Sequence, residues 1–370
     1  MSSMPLIRPP LHTSGSRIVD TYGTPVTLRS INWYGASDML FVPSGLDKQH
    51  RNDIAILIRA LGFNSVRLPY SDELVVSNPV IQPSLLAANP DLVGATALDV
   101  FFAVVSALTE VGLAVIPNDH ITHATWCCGI DPCDAMWSND HLGSLCRISQ
   151  TEEDWLRNWE TVMTPLAGNP LVIGADLRNE VRGLWGTMWW SKWARAAEMA
   201  GERILSINPD WLIFVEGVSS ANDLSGVTSR PIVLSIPRKV VYSAHVYSWS
   251  GWGALDPYSR RTYSSFAKDM SRNWAYLLDR NIAPVWVGEF GTVEQPRKGD
   301  LNYWNHLIEF LAKLEEEGQG ASWGYWAINP RKPKNNEWEG YGLVADDWQK
   351  VRYDYRLKGL EELGLPLKKR

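Results

Sequence analysis

The chain has 370 residues, of which 45% are hydrophobic and 21% charged, and its formal net charge at pH 7 is -6. This balance is typical of a globular protein with a large buried core. The acidic charge and the lack of a basic block argue against a nucleic-acid partner. No apolar run approaches the roughly 20 residues that a membrane span needs.

Amphipathic helical stretches that end at Gly or Asn alternate along the chain with short β-branched or aromatic runs. A hairpin comes first, in which residues 17–20 turn at Gly23 to residues 26–28 and lead into the first strand. Eight strands are predicted, at 26–32, 65–69, 113–116, 172–177, 212–215, 240–247, 284–288 and 322–326. Helices are predicted between most of them, at 53–61, 97–111, 155–166, 192–206, 266–278 and 301–317.

This alternation predicts βαβ units and a parallel sheet, and eight such units close naturally into a barrel. An open doubly wound sheet is the alternative, but no G-x-G-x-x-G follows the first strand. The prediction is therefore a single α/β domain, a (β/α)8 TIM barrel, with an N-terminal hairpin and long loops at its C-terminal face. The barrel would span residues 17–358, between an N-terminal extension at 1–16 and a C-terminal tail at 359–370.

Polar and aromatic side chains stand at nearly every predicted strand end, where the chemistry of such a barrel belongs. In chain order these ends carry Arg67, Asn118-Asp119-His120, Arg178-Asn179-Glu180, Glu216, His245 with Tyr247, Glu289, and Trp326 with Asn329 beyond. Charges at partly buried positions cost several kcal/mol unless they are paired. The ordered set therefore indicates a functional mouth.

Glu180 and Glu289 follow the fourth and seventh strands, which face each other across a barrel. Hydrolysis of a glycoside needs one carboxylic acid to protonate the leaving oxygen and a second carboxylate as nucleophile or base. Two glutamates in these positions can flank one bond. A separation of about 5–5.5 Å would predict retention of configuration, and about 6.5–9.5 Å inversion.

The set of strand ends resembles glycoside hydrolase family 5, in the clan of (β/α)8 retaining glycosidases with both glutamates after strands four and seven. The resemblance rests on Asn179-Glu180, His245-x-Tyr247 and Glu289-Phe-Gly291, together with Arg67 and His120. The stretches 18–28 and 61–69 also resemble cellulase-like members, so the likeness covers about residues 17–348. Val181 departs from the family, because many relatives have Pro after the acid/base glutamate.

The resemblance implies catalytic roles for the charged residues. Glu180 would be the general acid/base, with its pKa raised while the nucleophile is ionised. Glu289 would be the nucleophile, which Arg67 would keep ionised and aligned and Tyr247 would hydrogen-bond. Glu216 has no role in the resemblance and is interpreted as structural, with a sugar contact as the alternative.

The resemblance also implies sugar-binding roles. Asn179 would donate to the sugar 2-hydroxyl, His120 and His245 would orient the sugar and Glu180, and Trp326 would be the stacking floor of the cleavage subsite. The chain has 19 Trp against 8 Phe, which favours a groove lined by flat apolar faces, although about half of the Trp are expected to be structural. Candidates for further subsites are Trp33, Trp126, Trp137, Trp185 and Trp249.

All four cysteines, Cys127, Cys128, Cys133 and Cys146, lie in a predicted insertion at 123–148 over the mouth. An even local cluster predicts disulfides that staple a loop in an oxidising compartment. Zinc ranks lower because a clean C-x-x-C pair is lacking, and free thiols stay open. The family and the cysteines favour secretion, but no signal peptide is visible in residues 1–16, so a cytoplasmic location stays open.

The function implied by the resemblance is a retaining, endo-acting β-glycosidase on a β-1,4-glucan or cellulose-like chain. Mannan, a β-1,3-glucan, a glycolipid or a disaccharide glycoside stay open as substrates for the same fold and mechanism. We expect an oligo- or polysaccharide partner, a monomer, and neither a cofactor nor a metal.

Two alternatives belong to other classes. One is a metal-dependent barrel hydrolase with Asp119, His120, His123 and His245 as ligands, against which the first strand end, Asn32-Trp33, offers no ligand of the usual type. The other is a catalytically silent carbohydrate-binding barrel. Outside the metal alternative, Asp119 is a candidate for a contact behind the site.

Overall fold

The computed structural model describes residues 7–129, 131–183, 187–251 and 255–367, and it confirms the predicted (β/α)8 barrel. Eight parallel strands close into one barrel, in which each strand pairs with the next along the chain and the last pairs with the first. The strands of the barrel are β3 Arg29–Asn32, β4 Ser65–Ser71, β5 Ala114–Ile121, β6 Gly174–Asp176, β7 Leu212–Glu216, β8 Val240–Val246, β9 Val285–Phe290 and β10 Ser322–Tyr325.

Helices form the outer layer around the strands. Their bounds are α1 Arg51–Ala60, α2 Asp72–Ser77, α3 Ala97–Glu110, α4 Glu152–Met163, α5 Trp190–Ile207, α6 Val218–Ala221, α7 Tyr263–Met270, α8 Tyr276–Asp279, α9 Lys298–Glu316 and α10 Tyr355–Glu362. A π-helical turn, Ser271–Ala275, joins α7 to α8. Within the described residues, no helix combines the length and the apolar character of a bilayer-crossing segment.

Helix starts follow local capping chemistry. In α4, Thr151 and Asp154 form a capping box, in which each side chain accepts a hydrogen bond from the other residue's backbone N–H. The helix therefore begins at Glu152, three residues before the predicted start at 155. Thr96 and Asp99 form the same box at the start of α3.

The N-terminal hairpin differs from the predicted pairing. Strand β1, His12–Ser14, pairs with β2, Arg17–Val19, around Gly15 at φ +55°. The predicted partner at 26–28 keeps only a Val19–Pro25 bridge and a bond from Val26 N–H to Ile18 O. The hairpin thus crosses the predicted boundary between residues 16 and 17, as α10 crosses the one between 358 and 359.

The hairpin closes the N-terminal end of the barrel. Leu11 and Ile18 pack against inward-facing residues of the strands, among them Ile116, Phe214 and Trp286. This apolar layer seals one end of the barrel, so the polar residues that end the strands are gathered at the other.

Strand β5 is longer than the predicted 113–116, because it continues through Pro117 into the polar residues that follow. At that level Asn118 pairs with Asp176 of β6. The strand register also places Asn32 beside Arg67, and His245 beside Glu289. The candidate residues of different strands are therefore brought to one height in the barrel.

Candidate active site

Arg67, on β4, is the centre of the polar end of the barrel and is fully buried. An arginine carries five N–H donors in a planar fork, and here each one has a partner. Nε donates to Asp176 (2.7 Å), Nη1 to Asn32 (3.1 Å) and Glu289, and Nη2 to Asn179 (2.8 Å) and Glu216 (3.0 Å). One cation thus links side chains from four other strand ends.

The two predicted catalytic glutamates face each other across this centre. Glu289, on β9, accepts from Arg67 through Oε1 and from the Tyr247 hydroxyl through Oε2, at 2.9 Å. Glu180, whose side chain is 17% exposed, has its Oε1 3.1 Å from Nδ1 of His245. An oxygen of Glu180 lies within 4.8 Å of an oxygen of Glu289.

The surroundings of Glu180 shift the pKa of its carboxyl. Burial raises the pKa of Glu180, the charges of Glu289 and Glu216 raise it further, and the hydrogen bond with His245 opposes them. The net effect is a raised pKa, in the direction predicted from the sequence.

His245 lies between the acidic groups. Burial alone would lower its pKa, but the carboxylates of Glu216 and Glu289 and the hydrogen bond with Glu180 raise the pKa well above its ordinary value. A protonated ring donates from both nitrogens. The structure therefore favours a cationic His245 next to Glu180.

Glu216 was interpreted from the sequence as structural, but it bonds directly to Arg67 and Glu180 at the polar end of the barrel. Its carboxylate accepts from Arg67 and, at 2.6 Å, from the backbone N–H of Glu180, and it lies 3.4 Å from Nε2 of His245. Asp176 was missed altogether. The available signal was an acidic residue inside the apolar run 172–177, where an unpaired carboxylate is costly.

The predicted sugar-binding residues line the same mouth. Asn179 accepts from Arg67 through Oδ1, so its Nδ2 is turned outward and donates to the sulfurs of Cys127 (3.3 Å) and Cys128 (3.2 Å). The ring of His120 stacks on Trp326 at 5.5 Å and bonds to Asn118.

Trp326 is 7% exposed, and Tyr34 stacks on it at 4.9 Å. Tyr34 itself was missed in the sequence, because it follows the strand end by two residues and carries no charge.

Two predicted subsite tryptophans are corrected by the structure. Trp33 is 0% exposed and donates its indole N–H to Ser44 O at 2.9 Å, so neither face is free for a sugar. Alternation along the strand explains this, because Asn32 points inward and the next side chain points outward. Trp137 is buried between Trp155 and Trp193.

Other tryptophans keep the predicted position. Trp126 is half-buried and packs its edge against Tyr34 and Trp326. Trp249 is 55% exposed and stacks on Tyr247 at 4.4 Å, which puts it next to the residue that bonds Glu289. Trp185 lies outside the described residues.

The insertion at 123–148 reaches the mouth, as expected. Cys127 and Cys128 are in sulfur–sulfur contact, and both sulfurs lie within 4.8 Å of an oxygen of Glu180. Cys133 and Cys146 form the second pair, buried in the loop, with Cα atoms 5.5 Å apart, a usual disulfide spacing. The two pairs therefore differ in position: one borders the cleft and the other only ties the loop.

The four ligands of the metal-hydrolase alternative do not converge. Asp119 accepts from Arg178 and from the Trp155 indole, behind the barrel wall. His123 bonds to Ile148 N–H inside the insertion, whereas His120 stacks on Trp326 in the mouth. The geometry therefore does not support that alternative. The Asp119 carboxylate faces Arg178 and Trp155 behind the site, and its backbone carbonyl accepts from the Asn179 N–H at 2.8 Å.

Known proteins resemble this chain over nearly its whole length. The family described as cellulase (glycosyl hydrolase family 5) matches residues 19–332. An endoglucanase from Paenibacillus polymyxa is 31% identical over 353 residues, which cover 91% of this chain and 83% of the relative. The major extracellular endoglucanase from Xanthomonas campestris pv. campestris is 28% identical, with 91% of this chain and 68% of the relative covered.

Solved structures show the same likeness. The catalytic domain of the major endoglucanase from Xanthomonas campestris pv. campestris superposes with a TM-score of 0.78 at 26% identity, over 95% of this chain and 99% of that one. A variant endocellulase from Pyrococcus horikoshii in complex with cellotetraose has a TM-score of 0.78 at 25% identity, over 96% and 98%.

Proposed function

The chain belongs to glycosyl hydrolase family 5, and from this membership and the site geometry we propose that it is a retaining glycoside hydrolase that cuts internal β-1,4 links of a cellulose-like glucan. The observation that carries the mechanism is the approach of Glu180 and Glu289 to within 4.8 Å between carboxylate oxygens. Retaining enzymes hold their carboxylates about 5–5.5 Å apart, whereas inverting enzymes need about 6.5–9.5 Å for a water.

In the first step, a carboxylate oxygen of Glu289 attacks the anomeric carbon while Glu180 gives its proton to the departing glycosidic oxygen. The C–O bond to the leaving sugar breaks and a glycosyl–Glu289 ester forms. In the second step, Glu180, now a carboxylate, takes a proton from water, whose oxygen attacks the same carbon and releases Glu289. Two inversions give net retention.

The surrounding residues suit this cycle. Arg67 and Tyr247 each donate to one oxygen of Glu289, which aligns the nucleophile. The raised pKa of Glu180 favours the protonated form that the first step needs. A cationic His245 at 3.1 Å then stabilises the carboxylate that Glu180 becomes.

Asn179, His120 and Trp326 are proposed to bind the sugar at the cleavage point. The outward Nδ2 of Asn179 supports a bond to the 2-hydroxyl, a contact that strengthens in the transition state. Trp326, which is 7% exposed and has Tyr34 and His120 stacked on it, is proposed to contact the sugar through its exposed part. Trp126 and Trp249 are proposed to extend the groove on either side.

The relatives' names support a β-glucan substrate, since two are endoglucanases and one endocellulase was solved with cellotetraose. We also propose that the two cysteine pairs are disulfides and that the protein acts outside the cell as a monomer. The cysteine pairs and the extracellular Xanthomonas relative support that location.

Azide tests the two glutamates separately with an aryl β-cellobioside. Glu289→Ala with azide should give the α-configured glycosyl azide, and Glu180→Ala with azide the β-configured one, because azide replaces a different group in each. Glu294→Ala, at a partly exposed glutamate of the next loop that pairs with Arg352, is the matched control and should need no azide. Full activity of Glu289→Ala without azide would reject the assignment.

Substrate choice is tested by a product profile on β-1,4-glucan, β-1,3-glucan, mannan and glycolipids. Internal cleavage of β-1,4-glucan should lower viscosity much faster than it releases reducing ends. Turnover of mannan or a glycolipid alone would keep the mechanism but reject the substrate. The absence of any turnover, with both glutamates intact, would favour a silent carbohydrate-binding barrel.

A further inference from the structure

Glu216 ends β7 at the floor of the cleft and is 0% exposed. Its backbone carbonyl is also held, because the Trp193 indole donates to it at 2.8 Å. No sugar can reach a carboxylate at this depth. Whatever Glu216 contributes must therefore pass through its three protein neighbours, Arg67, Glu180 and His245.

The first neighbour that depends on Glu216 is the backbone of Glu180. This residue has φ +48°, in the left-handed region that is unfavourable for a non-glycine residue. Its N–H donates to Glu216 Oε2 at 2.6 Å. A charge-assisted bond of this kind is strong enough to offset the unfavourable conformation. Glu216 thus holds the backbone conformation of Glu180, from which the acid/base side chain extends.

The second neighbour is the ring of His245, which stands between Glu216 and both catalytic glutamates. Nε2 lies 3.4 Å from Glu216, and Nδ1 lies 3.1 Å from Glu180 and 3.7 Å from Glu289. Burial lowers the pKa of His245, and the charge of Glu216 has the largest of the effects that raise it. His120 and Asp176, whose pKa is raised to about 8, are further titratable groups whose charge interacts with that of the ring.

The third neighbour is Arg67, whose Nη2 divides its two protons between Glu216 and Asn179. Turning this nitrogen away from Glu216 would also turn it from Asn179, because the guanidinium is rigid and planar. Glu216 therefore contacts the acid/base directly and the nucleophile through one intervening cation.

We infer that Glu216 is a positioning residue for the hydrolysis, which fixes the backbone of Glu180, the fork of Arg67 and the ring of His245 in one arrangement. The inference rests on the proposed roles of Glu180 and Glu289. It goes beyond them in assigning the alignment of both sides of the cleft to a carboxylate that touches neither substrate nor reacting atom.

The test is Glu216→Gln, which keeps the length of the side chain. An amide has one accepting oxygen, so its NH2 must face one of the donors that the carboxylate satisfied. We expect kcat to fall about 10- to 100-fold, the range that loss of a bond to a charged group gives, with KM within about threefold. The His245 ring, assigned by NMR through its loss in His245→Asn, should also release its proton at a lower pH.

The matched control is Asp176→Asn. Asp176 is equally buried and also bonds Arg67, but it contacts neither the Glu180 backbone nor the His245 ring by hydrogen bonding. Its pKa is raised to about 8, so at neutral pH its replacement removes little charge. We expect the His245 titration to stay near that of the wild type in this variant.

Several outcomes would overturn the inference. One is a kcat of Glu216→Gln within about twofold of wild type; another is an unchanged His245 titration in a folded Glu216→Gln protein. If that variant does not fold, the wild type still decides, because a His245 pKa at or below about 6.5 would contradict a dominant carboxylate neighbour. If the wild type cut no glycoside, the proposed function would fail, and the shift of the His245 titration would still be measurable.

Discussion

Replacement of Arg67 by Lys is expected to damage both the stability of the barrel and the chemistry. The guanidinium donates five hydrogen bonds, and a lysine ammonium has three donors, so at least two buried acceptors lose a partner. Bonds to charged groups contribute about 1.5–3 kcal/mol each, and broken buried ion pairs cost about 3–5 kcal/mol. We expect the free energy of unfolding to fall by about 3–5 kcal/mol and kcat to fall at least about a hundredfold.

The matched control is Arg178→Lys. Arg178 is almost as buried, but its contacts come from only two nitrogens, Nη1 to Asp72 and Asp119 and Nη2 to Thr122, and its Nε is unpartnered. A lysine can supply donors to these groups, so the loss should stay below about 2 kcal/mol and kcat within about threefold. Urea denaturation and initial rates on a cello-oligosaccharide measure both. Equal losses of stability, or an Arg67→Lys kcat within about fivefold of wild type, would refute the reasoning.

Three further outcomes follow from particular side chains. Trp249→Ala should raise KM by about tenfold with little change in stability, whereas Trp33→Phe should lower the midpoint of thermal unfolding and leave KM unchanged; the reverse pattern would contradict the exposures of the two rings. Cys133→Ser with Cys146→Ser should lower the free energy of unfolding by about 2–4 kcal/mol with kcat largely kept, and unchanged stability under reducing conditions would contradict a disulfide there. Burial raises the pKa of Asp38 to about 8, so the folded chain holds a proton that the unfolded chain releases near the ordinary pKa of an aspartic acid. The free energy of unfolding therefore falls as pH rises towards 8, and Asp38→Asn should flatten its slope against pH.

Sequence reasoning reached the barrel and the approach of Glu180 to Glu289 because both leave periodic or positional traces. Eight apolar runs between helical stretches fix the closed sheet, and a polar residue just past an apolar run marks its mouth. Glu180, Glu289, Arg67 and Tyr247 were all recognised in this way. The structure brings them together through the strand register. The sequence pattern constrains this register without determining it.

The errors have physical causes of the same kind. Trp33 was assigned to the groove because every residue at a strand end was expected to face the mouth. Successive side chains of a strand instead point to opposite faces. Trp137 was assigned from its loop, and loops can fold their aromatic residues inward. Glu216 was interpreted as structural because it acts only through its contacts with Glu180, His245 and Arg67. These residues lie far apart in the chain, so the sequence does not show that they meet.

The sulfur pair of Cys127 and Cys128 gives the edge of the cleft beside Glu180 an unusual surface. Sulfur is large and polarizable and a poor hydrogen-bond partner, so it presents shape without directional polar groups. The two sulfurs therefore offer a glucan unit contact area and do not themselves recognise individual hydroxyls. We therefore expect this edge to tolerate decorated or branched chains that a polar wall would discriminate against.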